Sequence, residues 1–591
     1  MRWIKSIPGL TCRRASAASA VGWQTPMVAA PASTNQRRRV VCVRKLTRRL
    51  YRTRAPERHP IVTCAAGPAC PCSAAVKPTT PPPPSLPPVL TGEAAPLVAA
   101  VDMGSNSFHL VVARYEHGQL RIVDRLRDSV ALAAGLDGQK HLNAEARQRA
   151  LACIARFGQR LREMHPGSVR AVGTSALRQA KNAREFLDEA ALVLGHPIEV
   201  VSGHEEARLI YLGVAHTMAE RASSATGSRL VVDIGGGSTE LIIGEGFETR
   251  RVDSLSMGCV SFTQRFFADG RLDDGRFERA SVVARQELQS IVELYRKLGW
   301  SQAIGSSGTI LTADALLREQ GNGDEALTAR GLRRLIKQLV GFGQIGRIDL
   351  PGLKADRAAQ LPGGLVILEA VLSELGVDRM GVSQGAMREG LLYDLMGRIQ
   401  HEDIREATVR ALMQRHHVDE AHAARVEVTA RHLASQVGTA WGLSDERAQL
   451  FLSWGARLHE IGLSVAYSGY HKHGAYLLTH ADMPGFSNDD QRLLASIVLG
   501  HRRKLVRETF AAVDPGDVAL AQRLCMLVRL SARLNRGRMA TALPELRAVA
   551  ARDRLQIEFP AGWLAEHPLT QADLEEEVDA LRGLGVQLKC G

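Results

Sequence analysis

Two segments far apart in the chain place the same residue types in the same order. Val101-Asp102-Met103-Gly104-Ser105-Asn106-Ser107-Phe108-His109-Leu110 aligns with Val232-Asp233-Ile234-Gly235-Gly236-Gly237-Ser238-Thr239-Glu240-Leu241. Each reads as a strand ending in an aspartate, a glycine-containing hairpin turn with hydroxyls, and a second strand. Gly104, Gly235, Gly236 and Gly237 let backbone N–H groups come close to an anion. The hydroxyls of Ser105, Ser107, Ser238 and Thr239 add donors, and Asn106 sits in the first turn. Asp102 and Asp233 can hold a cation that bridges phosphate oxygens. One such hairpin would carry little weight. A matched pair implies two related lobes that face each other over a phosphate.

Two more loops suit the same cleft. Ala171-Val172-Gly173-Thr174-Ser175-Ala176-Leu177-Arg178 reads as a strand, a small turn with hydroxyls at Thr174 and Ser175, and then Arg178. Arg178 has two readings, a bidentate phosphate contact or a surface salt bridge. Ala303-Ile304-Gly305-Ser306-Ser307-Gly308-Thr309 reads as a strand, a turn and a helix start. Helix N-termini with free N–H groups are ready anion sites. The candidate base lies in Ser202-Gly203-His204-Glu205-Glu206. Ser202 and Glu205 have capping-box spacing, which would send the Glu205 carboxylate back to the Ser202 N–H. Glu206 then remains free to face a water, and negative phosphate nearby would raise its pKa and make it a better base. The plainer alternative for Glu206 is a solvated acid in the first turn of a helix.

The elements that must position these residues follow from periodicity. Short β-branched runs at Leu97–Val101, Leu110–Tyr115, Leu120–Arg125, Val169–Val172, Ile198–Val201, Leu230–Ile234 and Glu240–Ile243 alternate with helical patterns at Asn143–Met164, Asn182–Leu194 and His204–His216. Such alternation predicts an α/β fold. From about residue 400 long helical patterns run to about Asn535, and Leu555–Phe559, Gln571–Leu581 and Val586–Leu588 read as a small β-α-β cap.

Composition sets the class. The 591 residues carry a net charge of +13. Residues 1–95 hold 15 Lys and Arg against Glu57 and Glu93 alone, so the rest of the chain balances at 60 basic and 60 acidic groups. A neutral body argues against a nucleic-acid partner. No stretch approaches the ~18–20 apolar residues of a membrane-spanning helix. Fourteen of the 24 prolines and five of the nine cysteines also lie before residue 96. Residues 1–96 therefore read as a disordered, basic, proline-rich extension, or as upstream sequence from a wrongly assigned start. Their composition mimics an organellar transit peptide but lacks the apolar core of a secretory signal. The scattered cysteines of the body fit a reducing compartment. The expected location is the cytoplasm, with peripheral membrane association left open.

Together the segments Asp102–Leu110, Gly173–Ala180, Ser202–Ile210, Asp233–Leu241, Met257–Ser261, Gly305–Thr309, Leu361–Gly364 and Met387–Tyr393 resemble the bacterial exopolyphosphatase / guanosine pentaphosphate phosphohydrolase (Ppx/GppA) family. The long form with a C-terminal region is most similar to exopolyphosphatases. The resemblance implies an actin-like, ribonuclease H-like or hexokinase-like fold in two lobes, 97–222 and 223–400. It also implies an all-α HD-like region over 401–535, a small α+β cap over 536–591, and a homodimer. It makes Glu206 the general base and has Asp233, with Glu240, position Mg²⁺, with Asp102 as a further carboxylate. A monovalent cation such as K⁺ also has a place in that scheme. The turns would hold the terminal phosphates.

In the helical region an HD metal phosphohydrolase needs an adjacent His-Asp pair, where this chain has His459-Glu460, with His432, His471, His473, His480 and His501 nearby. The longer glutamate alters ligand geometry, so the region is expected to be a scaffold without metal chemistry. Lys472, Arg502, Arg503 and Lys504 are expected to form a track for a polyanion, the alternative being a solvated basic face. The principal expectation is an exopolyphosphatase that releases terminal orthophosphate from linear polyphosphate. The first alternative is a 5′-phosphohydrolase of guanosine pentaphosphate, and the second a non-catalytic regulator that binds polyphosphate or a nucleotide.

Overall fold

The computed structural model describes residues 97–116, 119–219, 227–321, 327–399, 403–539 and 543–591. The expectations for residues 1–96, and the lobe limits at 222/223 and 400/401, fall outside the described residues.

The first sheet is built from β1 (Leu97–Met103), β2 (Ser107–Glu116), β3 (Gln119–Ser129), β4 (Val169–Gly173) and β5 (Ile198–Val200). The second uses β6 (Ser228–Ile234), β7 (Thr239–Glu245), β8 (Glu248–Leu255), β9 (Gln302–Ser306) and β10 (Gly381–Val382). Their strand orders are β3-β2-β1-β4-β5 and β10-β9-β6-β7-β8. Element for element these are one topology used twice, three antiparallel strands followed by parallel crossovers, which is the duplication the paired turns foretold. In each sheet the aspartate sits near the end of the central strand. Asp102 pairs with His109 and Val172, and Asp233 with Glu240 and Ser306.

The parallel strands need helical crossovers, and the sequence marks them. Asn143 caps the helix Ala144–Leu161 by accepting from the Ala146 N–H, and Gly195, left-handed at φ 79°, ends the helix Ala183–Leu194. Between the sheets lies one apolar layer of Val98, Ala100, Val231, Ile242 and Ile304 with Leu209, Leu391 and Leu395. The last two stand on the helix Met387–Ile399, which follows the second sheet in sequence but packs on the helix Gly203–Ala219 of the first.

The remainder is helical, with six helices from Ile404–Arg415 to Val518–Leu534 and a three-stranded sheet of β11 (Arg547–Ala551), β12 (Arg554–Glu558) and β13 (Gln587–Cys590). The sequence reading saw two of these strands and missed β11. Residues read as a separate cap share one core with the helices. Trp441, Phe451 and Leu527 pack in the same cluster as Leu555, Ile557 and Leu581. Buried Arg529 reaches across that core to Glu577 and donates to the Gly500 carbonyl at 2.9 Å.

Candidate active site

The two hairpin turns meet. A Cβ on Gly236 would lie 3.0 Å from the Ser105 Cβ, and one on Gly237 would lie 2.9 Å from the Ser175 Oγ and 3.3 Å from the Ser105 Oγ. A side chain at either glycine would press on these serines, so three loops foreseen separately form one site. The second turn is braced from behind, because Cys259 N–H donates to the Gly235 carbonyl and those of Val260 and Ser261 donate to Gly236. The Met257–Ser261 motif thus supports a turn. The Leu361–Gly364 motif packs helices, since a Cβ on Gly363 would meet the Cys259 carbonyl at 2.6 Å.

Glu206 is 9 % exposed, at the start of the helix Gly203–Ala219. It is not free, as the sequence reading had it. Arg178 Nη1 donates to its Oε2 at 2.7 Å and also to the Val201 carbonyl at 3.0 Å. Arg178 therefore holds the proposed base through a largely buried ion pair and not the surface salt bridge that was one of its expected roles. Glu205 departs as well. Its N–H donates to the Ser202 hydroxyl at 3.1 Å, as in a capped helix, but its carboxylate does not close the box. It accepts from Arg208 at 2.7 and 2.8 Å and from the Gly485 N–H at 3.0 Å.

Around Glu206 stand three further buried carboxylates. Burial, followed by the charge of Glu206, pushes Asp102 up to about 8; burial, against the neighbouring Ser306 hydroxyl and with a smaller push from Glu206, takes Asp233 up to about 7, and Arg388 opposes both. Burial, then Glu206 and Asp233, holds Glu240 well above its usual range. The Asp102 Oδ1 and the Glu240 Oε2 are buried without a hydrogen-bond partner. Repelling carboxylates with orphaned oxygens are a donor set that fits a hard divalent cation. No three of these carboxylates bring oxygens within 4.8 Å of one another, so Asp102, Asp233 and Glu240 would have to draw together to hold it, and such an ion would supply charge neutralisation on phosphate oxygens.

Several expected phosphate ligands have other tasks. The Ser306 hydroxyl, fully buried, donates to the Gly385 carbonyl at 3.0 Å, and Thr309 donates to the Ile234 carbonyl at 3.4 Å. Thr239 likewise donates to the Met257 carbonyl at 2.6 Å. Asn106 accepts from Gln360 at 2.9 Å and donates to Ser107 at 3.3 Å, while Thr174 is buried at a helix start. These side chains shape the loops. The helix Ser307–Gln320 has no side-chain cap on its N-cap residue, so its first N–H groups, at Ser307, Gly308 and Thr309, are left open to an anion. Ser307 opens it at φ 82°, in the left-handed region.

Three cations escaped the sequence reading. Arg127, Arg357 and Arg388 gather around His109, which burial and then these arginines lower to about 3. Arg127 lies 3.5 Å from the Ser107 hydroxyl, and the Arg357 guanidinium lies 2.5 Å from where a Gly308 Cβ would be. Arg388 belongs to a motif singled out in the sequence, but nothing local revealed its place. Lys472, Arg502 and Arg503 do collect around His471, where Arg502 also stacks on Tyr470 at 4.8 Å.

A family profile of the Ppx/GppA phosphatase family matches residues 111–399, and that of its domain III matches residues 404–578. The guanosine-5′-triphosphate,3′-diphosphate pyrophosphatase of Vibrio cholerae serotype O1 (strain ATCC 39315 / El Tor Inaba N16961) is 39% identical over 493 residues, 83% of this chain and 97% of that protein. The protein of the same description from Pseudoalteromonas translucida is 39% identical over 490 residues, with the same shares covered. Among solved structures, an exopolyphosphatase from Cytophaga hutchinsonii has a TM-score of 0.46 and 27% identity, covering 51% of this chain and 98% of that one. The chain belongs to the Ppx/GppA phosphatase family. Its two duplicated α/β sheets and C-terminal helical domain are those of a Ppx/GppA phosphatase. No helix among the described residues is long and apolar enough to cross a membrane.

The raised carboxyls predict a pH signature. The folded chain keeps a proton on Asp102 that the unfolded chain loses near 3.8, so this contribution to stability falls as pH rises toward about 8. Between pH ~7.5 and ~8.5, above the ~6.5 at which ordinary histidines titrate, the metal-free protein should melt lower with rising pH. Asp102→Asn should flatten that slope, and Mg²⁺ should restore most stability at the alkaline end. Parallel melting curves for both proteins would refute the assignment.

Proposed function

We propose that the protein removes the terminal 5′-phosphate of guanosine pentaphosphate, which is the first alternative of the sequence reading and not its principal one. The carrying observation is the site itself, a carboxylate held by Arg178 among three buried acids where two glycine turns meet. Relatives named for that reaction, matched along 97% of their length, support this substrate over polyphosphate.

In this reading Glu206 takes a proton from a water whose oxygen attacks the terminal phosphorus. The bond from phosphorus to the bridging oxygen breaks, and that oxygen leaves with the guanosine tetraphosphate. Turn N–H groups and the N-terminus of the helix Ser307–Gln320 hold equatorial oxygens, while Arg127, Arg357 and Arg388 offset the remaining charge. Phosphoryl transfer needs little beyond such positioning and electrostatics. Mg²⁺ on Asp102, Asp233 and Glu240, a homodimeric assembly and a cytoplasmic location complete the proposal.

Phosphate release from guanosine pentaphosphate and from long-chain polyphosphate, compared on the purified protein, tests it. Higher kcat/KM on the nucleotide is expected, and a preference for polyphosphate would return the principal expectation. The basic track gives a second check. Neutralising Arg502, Arg503 and Lys504 together should leave nucleotide turnover unchanged. If long chains are also used, it should raise their KM and flatten its salt dependence, by counterion release. Equal loss on both substrates would mean that these residues serve the fold.

A further inference from the structure

The helical domain brings together groups that the cleft does not use. His422 stands near the start of the helix Glu420–Trp441, His459 and Glu460 directly follow the helix Glu446–Leu458, and His501 follows Asn488–Gly500. All four side chains are buried. The ring centroids of His422 and His459 are 5.5 Å apart, and those of His459 and His501 are 5.3 Å apart. His422, His459 and Glu460 each offer a ligand atom within 4.8 Å of the others, and among the described residues no other three acids, histidines or cysteines do so. The sequence reading, fixed on the adjacent His459-Glu460 pair, did not see His422.

Hydrogen bonds fix which nitrogens face inward. His459 Nδ1 lies 2.7 Å from the Ala456 carbonyl and His501 Nδ1 lies 2.6 Å from that of Val498. A carbonyl only accepts, so each Nδ1 carries the proton and each Nε2 is left bare. A backbone carbonyl holding the far nitrogen is the usual support of a metal-bound imidazole. The His501 Nε2 has only the Tyr470 hydroxyl, at 3.5 Å. The His422 Nε2 lies 3.9 Å from the Glu460 Oε2, and its buried Nδ1 has no partner. Leaving that nitrogen bare costs about 1–3 kcal/mol, which a bound ion at the cluster would offset.

We propose that His422, His459, Glu460 and His501 form a binding site for a divalent transition-metal ion, with zinc the best fit to three imidazoles and one carboxylate. A cation already sits on the carboxylate. Arg538 Nη2 donates to both Glu460 oxygens at 2.6 and 2.7 Å, from a half-exposed side chain on a backbone at φ 53°. Metal entry displaces this guanidinium toward Asp419, which Arg538 Nη1 already contacts at 3.1 Å. The ligand atoms then draw in to the ~3.4 Å spacing that zinc bonds of ~2.0–2.1 Å impose. The bound ion ties three helices of the domain together.

The test uses the full chain, stripped with a chelator and titrated with Co²⁺ and then Zn²⁺. About one equivalent of Co²⁺ should give the intense visible bands of tetrahedral cobalt, bleached by Zn²⁺, and Zn²⁺ should raise the melting temperature. The oxygen donors of the cleft give only weak octahedral bands and do not confuse the reading. His422→Gln and His459→Gln should each abolish the bands. Arg538→Ala keeps every ligand and removes the competing cation, so it stays informative even if a histidine variant fails to fold. It should bind Zn²⁺ about two- to fivefold more tightly, as expected for release from a partly exposed ion pair. No tetrahedral bands in the parent protein, bands that persist in His422→Gln, or unchanged affinity in Arg538→Ala would each overturn the site.

Discussion

Glu206→Gln should slow phosphate release by about 10²–10⁴-fold, the usual loss for a general base, while substrate still binds. Glutamine keeps the length of the side chain and can still accept from Arg178 Nη1, which also retains the Val201 carbonyl at 3.0 Å. The loop around the base should therefore hold its shape. What disappears is the ability to take a proton. The change has a second signature that a merely structural residue would lack. The charge of Glu206 helps raise Asp102, Asp233 and Glu240. Removing it lets these carboxyls ionise at lower pH, so the Gln variant should bind Mg²⁺ more tightly near neutral pH as its turnover collapses. Single-turnover phosphate release, measured beside Mg²⁺ titrations, separates the two effects. Near-normal turnover would mean that water is activated by another group.

The parts of this site that were legible in the sequence are those whose signal is local. Glycines at 104 and 235–237 and an aspartate before each turn announce a duplicated hairpin, because both the tight turn and the close approach need those residue types at those offsets. The helix start at Ser202 was legible for the same reason. The Glu205 carboxylate was not. Its real partners, Arg208, Arg170 and the Gly485 N–H, include groups far along the chain. Ser306 and Thr309 misled because a hydroxyl in a turn resembles a ligand donor until a distant carbonyl claims it. Here Gly385 and Ile234 provide those carbonyls. Arg127, Arg357 and Arg388 carry no local mark at all, and only the tertiary fold collects them around His109. His422 was hidden likewise, as one histidine on a helix whose partners lie beyond the next loop.

Asp394→Asn should cost about 3–5 kcal/mol of stability, the range for breaking a buried ion pair by removing one partner. Asp394 accepts from Arg170 Nη1 at 2.5 Å and Arg398 Nε at 3.0 Å, and also from Arg208 Nη2. Both Arg170 and Asp394 are buried. Burial alone would raise the Asp394 carboxyl, yet Arg208, Arg170 and Arg398 hold it far below its ordinary 3.8. Removing this one charge leaves Arg170 and Arg208 with Glu199 and Glu205, and Arg398 with Glu199, Asp403 and Asp490, as their remaining acids. The cluster also spans the molecule. Glu205 and Arg398 bond the N–H and carbonyl of the same residue, Gly485, at 3.0 and 2.8 Å, which docks the helical domain onto the first lobe. Glu205→Gln should therefore cost more than a lost cap, whose typical value is about 1 kcal/mol. The sign with pH follows from the depressed carboxyl. Its contribution is present above about 3.8 and is lost as pH falls through the lower folded value. The gap between parent and Asp394→Asn should thus stay constant from pH ~5 to ~8 and narrow only in stronger acid, with little response to salt because the pair is buried. Denaturant midpoints across that pH range measure it. A gap below about 1 kcal/mol, as for an exposed pair, would show that the arginines find other partners and that the cluster does not hold the domains together.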